Sequence, residues 1–241
     1  MARKPRQISN LQIYHVMLRG INGSRLFFDD IDCEKFKELL KHMVEPSDVD
    51  NNHLEPCFYL HAYCLMPNHV HLLLRENSES LSNSMQRLAA SYAIYFNKRY
   101  ERIGPLYQDR FRSEPVNDAS YFITLIRYLH LNPVEAGMTD SPKQYKWSSW
   151  HEYSSNGMAP YDLCSRSIPF RGLSWPELCN QVDNAALEAR LQAKLSNRRR
   201  NDEQLKELVQ RMLPAGMAVD DVMNLPRPDR NAFICAALDA V

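Results

Sequence analysis

The sequence predicts an α+β fold, a single antiparallel sheet carrying helices, built in the order strand, helix, strand, strand, helix, strand. Three observations predict it. Short β-type apolar segments at 13–19, 58–64 and 69–75 read as strands. Segments of helical periodicity at 32–44 and 80–100 follow the first and third of them. The second and third strands are joined only by Leu65-Met66-Pro67-Asn68, a hairpin connection. This order is the split β-α-β, or ferredoxin-like (βαββαβ), pattern, which sets the third strand between the first and second.

Each element has its own local reason. Ile13-Tyr-His-Val-Met-Leu-Arg19 is a β-type run closed by Gly20 and the turn around Asn22-Gly23. In 32–44, Phe36, Leu39, Leu40 and Met43 recur at helical spacing, with Asp29, Asp30 and Asp32 at the favourable N-terminal end. Residues 46–56 are a polar loop. The helix at 80–100 has Leu81, Met85, Leu88, Ala89, Tyr92 and Phe96 on one face, and Tyr92 reads as core. A loop through Gly104-Pro105 leads to a short strand at 111–116. Asp118 or Ser120 then caps a helix at 121–132 that Pro133 is expected to stop.

Beyond residue 140 the texture changes. Trp147-Ser-Ser-Trp150 and the Ser/Asn/Gly stretch to Gly157 suggest a boundary, dividing the chain into 1–155 and a helical C-terminal region, 156–241. Helices are expected at 177–195, 202–213 and 229–238, with Arg198-Arg199-Arg200 between two of them. A helix-turn-helix-like DNA module and a plain helical appendage with a solvated basic turn both fit.

Composition excludes several classes. Lysine plus arginine and aspartate plus glutamate each number 29, which argues against a wholly basic nucleic-acid coat but permits a local basic groove. The six cysteines form no Cys-x-x-Cys pair and read as reduced core residues. No apolar run approaches a membrane span, and Met1-Ala-Arg-Lys-Pro-Arg6 has no signal-peptide core, so a cytoplasmic protein is expected, with no membrane partner.

The chemistry concentrates in two motifs. In Met66-Pro-Asn-His69-Val-His71, the histidines alternate with Val70 and so share one face of a strand, where two imidazoles can grip one metal ion. In Arg127-Tyr128-Leu-His-Leu-Asn132-Pro133, Tyr128 and Asn132 lie four apart and share a helix face. A phenol has a pKa near 10 and is a weak nucleophile at neutral pH unless its target is polarised or its phenolate stabilised. Asn132 offers a carbonyl oxygen as a third ligand, or it is a helix end before proline. Tyr121 has Leu125, not an amide, four residues on. His130 falls on another helix face, as a structural residue. His15 approaches the site only if its strand neighbours that of His69. Lys98, Arg99, Arg102, Arg110 and Arg112 gather positive charge around Gly104, with Tyr107 among them as a base-stacking candidate; Arg3, Lys4 and Arg6 form a basic arm.

These motifs, with Tyr14-His15-Val16, Arg19-Gly20, Phe27-Phe28-Asp29-Asp30, Tyr95-Phe96-Asn97, Tyr107-Gln-Asp-Arg-Phe111 and Ala136-Gly137, resemble the REP-associated tyrosine transposases, relatives of the single-tyrosine HUH insertion-sequence transposases. The resemblance covers about residues 10–153. It implies an HUH-nuclease catalytic domain that cleaves and rejoins single-stranded or REP-like hairpin DNA through a 5′-phosphotyrosine on Tyr128. It further implies Mg²⁺ or Mn²⁺ held by His69, His71 and Asn132, a nucleoid-associated location, and a monomer or homodimer. Two other functions fit the residues themselves: a non-catalytic ferredoxin-like nucleic-acid-binding module, and a metallo-phosphoesterase using bound water.

Overall fold

The computed structural model describes residues 7–47, 54–154 and 163–182. The strands are β1 (Ile13–Arg19), β2 (Phe58–Met66), β3 (His69–Glu76) and β4 (Arg112–Val116). They form one sheet in the order β2-β3-β1-β4, every neighbouring pair antiparallel. The helices are α1 (Asp30–Val44), α2 (Leu81–Arg99), α3 (Ala119–Glu135), α4 (Trp150–Ser154) and α5 (Trp175–Val182). The expected α+β, ferredoxin-like order is present, with β3 between β1 and β2.

The caps follow the sequence. Asp29, Ser80 and Asp118 accept from the backbone N–H three residues on, opening α1, α2 and α3. Val16, Leu18, Val70, Leu72 and Leu74 are buried on one sheet face and share a core with Phe36 and Leu40 of α1 and Leu88, Tyr92 and Phe96 of α2. Asp32 is wholly buried and ties α1 to α2. It accepts from Arg99 at 2.6 Å, from the hydroxyls of Tyr95 and Tyr100 at 3.0 and 2.7 Å, and from the Phe28 N–H at 2.8 Å. With every acceptor position used, the buried carboxylate is compensated.

The opposite sheet face is covered by α3, which packs on β2 and β3. Contrary to expectation, α3 does not stop at Pro133. Pro133 lies inside the helix, and the end comes at Ala136-Gly137. There the Met138 N–H reaches the Pro133 carbonyl at 2.9 Å and the Gly137 N–H the Val134 carbonyl at 2.9 Å. This paired closure requires a left-handed residue, supplied by Gly137 at φ 67°. Proline removes a single helical N–H, and so close to the end the helix tolerates it. Asn132 is therefore an interior helical residue, not a cap.

The Trp147–Trp150 segment is part of the sheet's surroundings, not a boundary. Leu65 N–H donates to the Trp147 carbonyl at 2.8 Å and Ser149 N–H to the Tyr63 carbonyl at 3.0 Å. The otherwise open edge of β2 is thereby covered. The described fold continues beyond residue 155 in the segment 163–182. Leu163, Cys164, Leu178 and Cys179 complete its core, and the Ser165 N–H bonds to Leu60. The expected helices at 202–213 and 229–238, most of 177–195 and Arg198–Arg200 lie outside the described residues. No described helix is long and apolar enough to cross a membrane.

Two buried histidines make this fold acid-sensitive. His61 packs edge-on against Phe122, and His130 meets Ser149 Oγ at 2.8 Å between Trp150 and Tyr153. Burial pushes both imidazoles down from 6.5 to about 3. Below 6.5 the unfolded chain takes up protons that the folded chain refuses. The stability is therefore complete above 6.5 and falls as pH drops towards 3. Between pH 7.5 and 5.5 the two should cost about 3 kcal/mol together. Urea unfolding at the two pH values measures it; an unchanged midpoint would contradict it.

Candidate functional site

The site begins with strand register. Directly opposed residues of antiparallel strands share a face. Arg19 opposes His69, Met17 opposes His71, and Met17 also opposes Arg112 on the other side. His15 lies two residues before Met17 and opposes Glu114. His15, Arg19, His69, His71, Arg112 and Glu114 therefore lie on one face, the one that α3 crosses. Tyr128 of α3 meets this face, its ring centroid 6.0 Å from that of His71 and 6.5 Å from that of His15, both edge-on. His69 and His71 stand 4.8 Å apart by ring centroid, nearly perpendicular, while the His15 and His71 rings lie nearly parallel with centroids 5.1 Å apart, meeting nitrogen to nitrogen at 2.9 Å.

The preceding turn orients His69. Asn68 Oδ1 lies 2.7 Å from His69 Nδ1. An amide oxygen accepts, so Nδ1 carries the proton and Nε2 keeps its lone pair. Asn68 is itself fixed, because its carbonyl accepts from the Gly20 N–H at 2.9 Å. A Cβ on Gly20 would lie 2.0 Å from the Ser24 carbonyl oxygen, so only glycine fits where the chain leaves β1.

The electrostatics suit ligation. Burial, then the nearby charge of Arg19, pushes His69 down to about 4. Burial, then His15 and His69, holds His71 well below the ordinary imidazole value. Both rings are neutral at neutral pH, the form that binds a metal. Asn132 is buried one turn beyond Tyr128, and its Nδ2 donates to the Tyr128 carbonyl at 2.8 Å, which leaves the amide oxygen as its coordinating end. Among the described residues no group of three His, Cys, Asp or Glu side chains is placed to hold a metal. Two imidazole nitrogens and an amide oxygen are donor types that a divalent cation accepts. A hard cation such as Mg²⁺ or Mn²⁺ would draw its remaining ligands from water and phosphate oxygen.

The other expected DNA-contact residues divide. Lys98, Arg110 and Arg112 are exposed. Arg102 lies over the Phe96 ring at 5.4 Å. Arg99 is held by Asp29 and Asp32 at 2.6 Å each and serves the α1–α2 junction. Tyr107 is half-buried against the core, with its hydroxyl enclosed. Arg3, Lys4 and Arg6 lie outside the described residues. His130 is structural, as expected. The condition on His15 is met, since its strand pairs with that of His69, and the same pairing brings Arg19, which local pattern does not mark, to the site.

Residues 8–132, just over half of the chain, match the model of the family described as Transposase IS200 like. A Haemophilus influenzae protein described as a REP-associated tyrosine transposase is 27% identical over 113 residues, 42% of this chain and 64% of that protein. The chain thus spans less than two thirds of the length of that curated relative. A solved structure described as a REP-associated tyrosine transposase bound to a REP hairpin matches with a TM-score of 0.51 at 15% identity, covering 71% of this chain and 96% of the other. At that identity the likeness is one of fold.

Proposed function

Since the chain belongs to the IS200-like transposase family, we propose that it cleaves and rejoins single-stranded DNA at the foot of REP-like hairpins, with Tyr128 as nucleophile. The observation that carries this reading is the meeting of Tyr128, from α3, with His71, which stands beside His69 on β3, on a sheet face that also bears Arg19 and Arg112.

In the proposed step Tyr128 Oη attacks the scissile phosphorus. An Oη–P bond forms, the bond from phosphorus to the 3′ oxygen breaks, and the phenol proton ends on that oxygen as a free 3′-OH. The product is a 5′-phosphotyrosine. One phosphate ester replaces another, so a 3′-OH from a second strand reverses the step and joins the ends. A Mg²⁺ or Mn²⁺ ion, when bound, would supply charge neutralisation and polarisation of the phosphate. His69 and His71 would hold it through Nε2 and Asn132 through its amide oxygen. The α3 packing holds the Tyr128 ring in place, so orientation is set before DNA arrives. Lys98, Arg110 and Arg112 would steer the phosphate backbone towards the face.

The test is incubation of a labelled REP-like hairpin with a single-stranded 5′ extension and Mn²⁺. Cleavage at one phosphate, abolished by EDTA, supports the reading. Binding without cleavage across several hairpins would instead support a non-catalytic module.

Arg19 and Arg112 flank the histidines. Replacing both by Ala should weaken hairpin binding and reduce the slope of log affinity against log salt by about 1–2. Fluorescence anisotropy across a salt series reads this, and an unchanged slope would place the DNA on another surface.

A further inference from the structure

A chain of polar contacts runs across three strands into the site. Glu114 on β4 places Oε2 3.8 Å from His15 Nδ1 on β1. His15 Nε2 lies 2.9 Å from His71 Nδ1 on β3. The Tyr121 hydroxyl lies 3.5 Å from the same Glu114 oxygen. His15 and His71 are both buried, so the order of protons between them is set by these neighbours and not by bulk water.

An ionised carboxylate only accepts, and a neutral imidazole carries one N–H. A proton on His15 Nδ1 faces Glu114, which makes His15 Nε2 an acceptor. The proton in the 2.9 Å contact then belongs to His71 Nδ1. With that nitrogen protonated, the lone pair of His71 sits on Nε2. The reverse order would turn a bare His15 Nδ1 towards a carboxylate and leave His71 Nε2 protonated, unable to coordinate anything.

We propose that His15, oriented by Glu114, is a positioning residue that fixes His71 in the Nδ1–H tautomer and so presents its Nε2 to the site. Asn68 does the same for His69 by a different route, from a turn instead of a neighbouring strand. The pair thus presents two equivalent nitrogens from two independent supports, the outer-shell arrangement that orients metal-binding histidines elsewhere. This inference rests on the cation-holding role proposed for His71, but the tautomer is measurable without any cation.

The experiment is a two-bond ¹H–¹⁵N correlation spectrum of the ¹⁵N-labelled full chain at neutral pH, which shows the nitrogen that bears each imidazole proton. The expected result is Nδ1–H for His71 in the wild type. His15→Phe keeps a ring of similar size but offers no acceptor, and should move His71 to Nε2–H or a mixture. His15→Gln, whose side-chain oxygen accepts the same proton, should restore Nδ1–H. Glu114 is exposed, so Glu114→Ala tests the relay without disturbing the core and should also give a mixture. Mn²⁺ titrated alone and followed by electron paramagnetic resonance should bind about 10–100-fold more weakly to His15→Phe than to wild type, with recovery in His15→Gln. A wild-type His71 protonated at Nε2, or a tautomer unmoved by both His15→Phe and Glu114→Ala, would overturn the proposal. The predicted spectra without Mn²⁺ binding to any protein would support the relay and overturn the cation reading.

Discussion

Replacing Tyr128 by Phe is expected to abolish strand cleavage, a loss on the order of a thousandfold or more, while hairpin affinity changes by no more than a few-fold. The substitution removes one oxygen. The ring retains its edge-on contacts with His71 and His15 and its place in α3, so neither the fold nor the histidines should move. Among the described residues, the other tyrosines near the site are engaged elsewhere. Tyr121 faces Glu114, Tyr92 is buried in the core with its hydroxyl on the Leu26 carbonyl, and the Tyr107 hydroxyl is enclosed. A gel assay of wild type and variant on one hairpin measures the ratio. Turnover that survives Tyr128→Phe would transfer the chemistry to water and make the tyrosine a packing residue.

The second large effect is expected at His71. His71→Ala should lower cleavage by on the order of a hundredfold or more and remove saturable Mn²⁺ dependence. It takes away a ligand nitrogen and leaves His15 Nε2 without its partner, so some stability is lost as well. Circular dichroism separates unfolding from loss of chemistry. Hairpin binding should survive within a few-fold, because phosphate contacts through exposed arginines do not pass through His71. Cleavage by His71→Ala that matches wild type across a Mn²⁺ series would remove the metal role.

Local pattern made most of the first half of the chain legible. Strand alternation placed His69 and His71 on one face and Val70 in the core, and helical spacing placed Tyr128 and Asn132 on one side of α3. What local pattern does not contain is strand neighbourhood. His15 enters the site because β1 pairs with β3, and Arg19 because it opposes His69, both contacts between residues some fifty positions apart. Pro133 misled for a related reason. A proline forbids one hydrogen bond, but Gly137 four residues later sets where the helix closes. Charge in sequence says nothing of partners: within the basic cluster Arg99 is engaged by Asp29 and Asp32, which lie far away in the chain. The segment Trp147–Trp150 suggests a boundary by composition, yet its backbone and the Ser149 hydroxyl finish the edge of β2.

The covalent role of Tyr128 is read by a denaturing gel of the protein incubated with 5′-extended hairpin DNA and Mn²⁺, with the label 3′ of the cleavage site, followed by peptide mapping of any labelled band. With Tyr128 as nucleophile, a protein–DNA adduct is expected that survives denaturation, requires the divalent cation, and maps to the peptide containing Tyr128. Cleaved DNA with no adduct, or an adduct on another tyrosine, would contradict it.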